Sequence, residues 1–246
     1  MEELKSTLNL SEITLGTMRF FDKSLSTKEI TNLIEAAFSI GIDTHHSSVE
    51  YSSYGLYTEA LKQSNCANKV KHIVKLSAPH FEDDTFSAKL LEERIDKELK
   101  VLDIERIDVL QWLLRSKPIN DKDRLNTLYE YKEEIEDVLK KLKDKGKIKS
   151  VFSFPYSVPF ADAVEELNEI DGIISYLNKE EQDYSKFAKK APFIAIRPFF
   201  AGELLKNSED IKKSIESCLA YISTNKKVLT TIVGINSIQQ LEAFKN

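Results

Sequence analysis

Two residues in the first third of the chain have the chemistry to deliver a proton to a carbonyl oxygen. Tyr51 follows the short run Ile42–His45, and Lys75 ends the apolar run Val70–Lys75. A free phenol titrates at about 10, and a neighbouring ammonium favours the phenolate and lowers that value. A phenol tuned in this way can protonate an oxygen while hydride arrives at the adjoining carbon. The plainer reading is an interfacial tyrosine and a surface lysine with no shared chemistry.

His45 and His46 invite a metal reading, but consecutive residues of a strand point to opposite faces. Only one of the two can look into a pocket. His80 can lend a second imidazole, yet no cysteine or carboxylate stands at ligand spacing. No metal site is therefore expected. One histidine should pack against a helix and the other should line the pocket.

These side chains need a scaffold, and the hydrophobic pattern supplies one. Eight runs read as strands: Glu12–Leu15, Ile42–His45, Val70–Lys75, Ile107–Leu113, Ile148–Ser153, Gly172–Leu177, Phe193–Arg197 and Leu229–Val233. Helical stripes lie between them. Ser26-Thr27-Lys28-Glu29 is a capping box ahead of Ile30, Leu33, Ile34, Ala37 and Phe38, and Gly41 stops that helix. Asp83-Asp84-Thr85 reads as the cap of a helix striped by Leu90, Leu91, Ile95 and Leu99. One long charged helix is expected from about Leu125 to Lys145, with Leu128, Ile135, Val138, Leu139 and Leu142 inside and a solvated outer face. Further helices fall near Pro159–Leu167, Glu180–Lys189 and Ile211–Ile222, and a last one opens at the capping box Ser237–Gln240.

Eight strands alternating with helices, at about thirty residues per unit, predict an α/β chain folded as a (β/α)8 TIM barrel. The runner-up is an open doubly wound sheet. That fold normally carries a glycine-rich turn after its first strand, and Gly16-Thr17-Met18-Arg19-Phe20 is no such turn. No linker or compositional break interrupts the chain, so residues 1–246 are read as a single domain. A barrel collects its chemistry at the C-terminal strand ends. Those positions hold Thr17, Met18, His45, His46, Tyr51, Lys75, His80, Trp112 to Arg115, Ser153, Asn178, Arg197 and Gly234 to Ser237. The loops Arg197–Gly202 and Gly234–Ser237 close strands seven and eight, where barrels commonly seat phosphate. Simple helix capping is the alternative role for Ser237.

Composition narrows the partners. Charged residues make up 30% of the chain and the net charge is -5, which argues against nucleic acid or an acidic membrane surface. No apolar run is long enough to span a bilayer, and the start MEELKSTLNL lacks a signal-peptide core. Cys66 and Cys218 are far apart and read as reduced thiols of a cytoplasmic protein.

Taken together, several segments resemble the aldo-keto reductases. GIDTHHSSVEY followed by LYTEALK is similar to that family's second-strand motif, and Gly41 and Tyr51 keep its separation. LGTM, IVK ending at Lys75, ERIDVLQWLL, KDKGKIKSVFSF, IAIRPFFAGELL and TIVGINSIQQLE follow in order. The resemblance spans essentially the whole chain. It implies a barrel that binds NADP or NAD and reduces an aldehyde or ketone, with Tyr51 as proton donor and Lys75 as its tuner. It further implies cofactor contacts from Thr17, Met18, Ser153, Arg197, Gly202, Leu204, Gly234, Asn236, Ser237 and Gln240.

The departures from the family pattern are specific. His46 stands where the family has an aspartate and becomes the candidate proton relay. Leu113 replaces the catalytic histidine, Phe154-Pro155 replaces the Ser-Asn pair that holds the nicotinamide amide, and Ile174 replaces a glutamine. Asn236 stands where a basic residue meets the 2′-phosphate. Two functions follow: a weak or altered NAD(P)H-dependent reductase of small carbonyl compounds, or a catalytically silent binding or regulatory protein with a protein partner. A metal-dependent hydrolase on the same barrel is a third.

Overall fold

One or two helices separate each strand from the next in the computed structural model, which describes residues 2–115 and 120–245. After helix α1 (Glu2–Leu8) come β1 (Ile13–Gly16), α2 (Thr27–Ser39), β2 (Thr44–Ser47) and α3 (Tyr54–Gln63). Next are β3 (Lys71–Ser77), α4 (Ala88–Leu102), β4 (Ile107–Leu113), α5 (Asp121–Glu130) and α6 (Lys132–Asp144). Then follow β5 (Ile148–Ser153), α7 (Val158–Val164), β6 (Gly172–Tyr176), α8 (Ser185–Lys190) and β7 (Phe193–Ile196). The chain ends through α9 (Ile211–Ser223), β8 (Val228–Gly234) and α10 (Ile238–Leu241). The strands join in sequence order and close on themselves as a parallel (β/α)8 barrel. An open doubly wound sheet is excluded. Among the described residues, no helix is long and apolar enough to cross a membrane.

Packing divides the chain into two compact units. One holds the residues up to Lys71 together with those from Ser175 onward, and the other is His72–Ile174.

In the first unit β1 pairs with β2 on one side and β8 on the other, matching Gly16 to both His46 and Gly234. A Cβ at Gly16 would meet Ile232 Cγ2 and the Val233 carbonyl oxygen at 3.2 Å, so any larger residue there would crowd β8. The Ser26 capping box forms with both of its hydrogen bonds, and α2 buries Ile30, Leu33, Ile34 and Ala37.

In the second unit β3, β4 and β5 run side by side, placing Leu76 opposite Trp112 and Trp112 opposite Ser153. Trp112 is fully buried, and its indole N–H donates to the Ala78 carbonyl at 2.8 Å. Asp171 accepts from Val151 N at 2.7 Å and pairs with Lys143 of α6 at 2.9 Å, tying that helix to the entry of β6.

Four local expectations are corrected. Helix α1 was not foreseen; its seven residues are mostly polar and carry little periodic signal. The long charged helix is two helices, because Tyr131 (φ −105°, ψ 14°) ends α5 and starts α6. The Tyr131 ring tilts against Phe86 at 6.0 Å, a long-range contact that polar periodicity across the break cannot reveal. Asp83-Asp84-Thr85 does not cap α4: Asp83 is committed to Arg94, and Ser87 Oγ accepts from Leu90 N instead. Finally, α10 is a single turn, and the Gln240 side chain bonds the backbone N–H of Asn236 rather than that of Ser237.

Candidate active site

The loops after β1 and β2 are pinned to one another through backbone groups. Both the N–H and the hydroxyl of Thr17 donate to the His46 carbonyl, at 3.2 and 3.0 Å. The buried Ser53 hydroxyl reaches the carbonyl oxygens of Thr17 at 2.9 Å and Met18 at 3.3 Å. Between these anchors, Tyr51 N donates to Ser48 O and Tyr54 N to Tyr51 O, so Tyr51 rides a tight turn just ahead of α3. Tyr51 is half-buried while Met18 is exposed.

The two histidines of β2 divide as the alternation of a strand demands. His45 Nδ1 lies 3.1 Å from the Tyr57 hydroxyl on α3. The His46 ring instead meets Tyr51 edge-on, with centroids 5.9 Å apart. Burial first, and the nearby Cys66 second, push the Tyr57 phenol far above its ordinary value. That phenol stays neutral and serves packing. Cys66 and Cys218 are both buried and unpaired, and burial raises each thiol. Among the described residues, no three His, Cys, Asp or Glu side chains gather to hold a metal ion.

In the second unit, Lys75 is half-buried on β3 opposite Gln111 of β4. Two residues on, Ser77 faces Leu113, which is 2% exposed. Ser153 at the end of β5 is fully buried, and its hydroxyl finds no partner. Phe154 and Pro155 follow it, with the Phe154 ring edge-on to Tyr156 at 5.2 Å. Ile174 is buried in β6.

The first unit also carries the ends of β7 and β8. Arg197 sits just past β7 with φ +56°, a left-handed conformation uncommon for a residue with a side chain. Its Nη1 donates to Glu181 Oε1 at 2.8 Å. Its guanidinium carbon lies 4.9 Å from the Tyr176 ring centre and 5.3 Å from that of Phe200. Asn178 Nδ2 bridges Glu181 Oε2 at 2.7 Å and the Arg197 carbonyl at 2.8 Å. Phe200, Ala201 and Gly202 also have positive φ, in a short 3-10 turn that holds half-buried Leu204. Beyond β8, Gly234 and Asn236 lead to Ser237, whose hydroxyl accepts from Gln240 N at 3.2 Å. The buried Asn236 Oδ1 has no partner.

These residues can be weighed against the dinucleotide that the resemblance implies. A held cation at Arg197 and the open space beside Gly202 and Gly234 suit a phosphate-bearing group. The amide end of such a cofactor needs side-chain donors and acceptors. Phe154, Pro155 and Ile174 offer none, which leaves the Ser153 hydroxyl. The phosphate end fits this chain; the amide end does not.

Three features of the second unit escaped sequence reasoning. A cleft of about 250 Å³ opens beside Pro79, Phe81, Asp83, Arg115, Asp123 and Thr127. Arg115 Nε donates to the Tyr156 hydroxyl at 3.1 Å, its guanidinium covers Phe81, and Arg124 covers Tyr156 at 4.1 Å. His72 is 1% exposed with neither ring nitrogen partnered. Only the place of Arg115 at a strand end hinted at any of these.

Comparison with known proteins agrees with the fold. A Pseudomonas aeruginosa protein described as an aldo-keto reductase superposes with a TM-score of 0.73 at 19% identity, covering 96% of this chain and 88% of that one. An aldo-keto reductase from Bacillus halodurans in its holo form gives 0.71 at 16% identity, covering 95% and 85%. One from Klebsiella pneumoniae in complex with NADP and acetate gives 0.69 at 15% identity, covering 95% and 84%. No curated protein matches the sequence. The profile of the aldo/keto reductase family matches residues 12–210, most of the chain, and on that match this protein belongs to the aldo/keto reductase family.

Proposed function

We propose that this chain is an NAD(P)H-dependent reductase of small aldehydes or ketones, with slow or altered turnover. Family membership over residues 12–210 is the observation that carries the reading. The Bacillus halodurans relative in holo form and the Klebsiella pneumoniae relative with NADP support a dinucleotide partner. Tyr51 is assigned as proton donor, Lys75 as the cation that lowers its pKa, and His46 as a relay behind Tyr51.

The phosphates of NADP or NAD are assigned to Arg197, Gly202, Leu204, Gly234, Asn236, Ser237 and Gln240. Thr17, Met18 and Ser153 are assigned to the reacting end. When bound, the cofactor supplies the hydride. The chain's own share is to hold that cofactor, orient the carbonyl and deliver a proton from Tyr51 to its oxygen.

The replaced residues set the expected rate. General acid–base catalysis is typically worth about 10²–10⁴-fold, and lost positioning costs about another 10²-fold. With Leu113, Phe154, Pro155 and Ile174 at polar positions of the family, both contributions shrink. The same apolar, buried set favours a second reading, a catalytically silent binding or regulatory protein on this barrel. In either reading the chain works as one domain over residues 1–246, in the cytoplasm, without nucleic acid or membrane.

Calorimetric titration with NADPH and NADH, followed by turnover with a panel of small aldehydes, separates the two. Binding with Tyr51-dependent turnover supports the reductase. Binding without turnover selects the silent protein, and absence of binding removes the reductase.

A further inference from the structure

The Arg197–Glu181 ion pair has no part in proton delivery, yet the chain goes to some length to build it. Arg197 adopts φ +56°, and such a conformation persists only when its surroundings over-determine it. Here Tyr176 and Phe200 each flank the guanidinium, Asn178 ties down the Arg197 carbonyl, and Glu181 takes Nη1. Asn178 also accepts from the backbone N–H groups of Glu180 and Glu181, so one buried amide fixes both ends of the pair.

Despite this support the guanidinium is not sealed away. The Arg197 side chain is 38% exposed and that of Glu181 is 24% exposed. Among the described residues, Glu181 is the one carboxylate that Arg197 engages. An arginine cannot lose its proton in a protein, so its charge is always present and always seeks an anion.

We propose that Glu181 is a stand-in anion: it neutralises Arg197 until a phosphate group of the dinucleotide displaces it, so the pair sets cofactor affinity. This deepens the reductase reading and rests on its assignment of the cofactor phosphates to Arg197. The exchange is chemically reasonable. A phosphate offers more charge and more acceptor oxygens than a carboxylate, and the guanidinium fork can take two of them at once. The flanking rings hold the cation in place while its partner changes. The Glu181 carboxylate keeps its bond from Asn178 and, being partly exposed, can turn to water.

A competing anion and an organising one predict opposite signs. Glu181→Gln keeps an oxygen for Asn178 and removes the charge that competes for Arg197. The Kd for NADPH, read by calorimetry, should fall about two- to five-fold, the scale of a partly exposed ion pair. Inorganic pyrophosphate alone should follow the same order. Arg197→Gln should weaken NADPH about ten-fold, as loss of one charge-assisted contact does. In the double variant, Glu181→Gln should have no further effect.

An unchanged or raised Kd in Glu181→Gln overturns the stand-in role while leaving the reductase reading intact, provided wild type binds. A gain that persists in the double variant also overturns it, because the effect then bypasses Arg197. Binding by neither wild type nor Glu181→Gln overturns both proposals. Glu181→Ser, which also frees Arg197, repeats the test should the glutamine variant prove unstable.

Discussion

The rings of His46 and Tyr51 meet edge to face, with centroids 5.9 Å apart and planes at 61°. The contact places an imidazole beside the phenol assigned as proton donor. It also lets the role of the hydroxyl be isolated. Tyr51→Phe keeps the ring against His46 and removes only the oxygen. Turnover of an aldehyde with NADPH should drop by about 10²–10⁴-fold, while the thermal midpoint and the NADPH Kd stay near wild type. Undiminished turnover would take Tyr51 out of the chemistry.

His72 makes a different prediction, about acid. Its ring is buried on β3 without hydrogen-bond partners, and burial pushes its pKa down from 6.5 to about 4. Between those values the unfolded chain binds a proton that the folded chain refuses. Stability is therefore unaffected above about pH 6.5, declines as the pH falls through this window and levels off below about 4, a loss on the order of 3 kcal/mol. His72→Leu should flatten that decline without lowering stability near neutrality, because it also removes unpartnered buried polar atoms. Urea midpoints at several pH values check this. An acid slope unchanged in His72→Leu would assign the lability elsewhere.

How much of this was legible depended on the range of the interaction. The barrel was visible because each strand–helix repeat writes its own periodicity, as α2 does with Ile30, Leu33, Ile34 and Ala37. The split between His45 and His46 was also legible, since adjacent strand residues must face opposite ways. What sequence could not show were partners distant along the chain. Nothing near Tyr131 announces Phe86, and nothing near Asp83 announces Arg94. For the same reason the Arg115–Tyr156 and Arg197–Glu181 pairs appear only once the loops are folded. His72 escaped notice because a lone histidine in an apolar run carries no sign of whether its nitrogens will find partners.

The Asp83–Arg94 pair should behave as a structural clamp on the β3–α4 loop. Arg94 Nη1 and Nη2 donate to the two Asp83 oxygens at 2.7 Å each, Nη1 also reaches the Ser77 carbonyl at 2.9 Å, and His80 N donates to Asp83 at 2.6 Å. Hydrogen bonding from Arg94, ahead of the other contacts, holds the Asp83 carboxyl below its ordinary value. The sign is that of a depressed acid. Its stabilisation is present above the ordinary carboxylate range and is lost as pH falls through the lowered folded value, below the His72 window. Asp83→Asn and Arg94→Met should each cost about 1–3 kcal/mol in urea unfolding at neutral pH. The double variant should lose clearly less than the sum, as two members of one interaction do. Strict additivity would show the clamp to be idle.

Asp103 supplies a prediction of opposite sign. It ends α4 in the left-handed conformation, at φ +57° and ψ +49°, while its N–H caps the Leu99 carbonyl. Glycine occupies this position without the Cβ conflict that a side chain brings, and it preserves the N–H that the cap uses. Against that gain stands the larger entropy that glycine gives the unfolded chain. Aspartate tolerates the left-handed region better than most residues, so the relief is modest. Asp103 is exposed, which leaves little side-chain packing to lose. Asp103→Gly should therefore stabilise the protein by about 0.5–1 kcal/mol, seen as a higher urea midpoint with an unchanged slope. Asp103→Ala, which keeps the Cβ and loses the local polar group, should move the midpoint the other way. A destabilised glycine variant would mean that the entropy it adds to the unfolded chain outweighs the strain it removes from the end of α4.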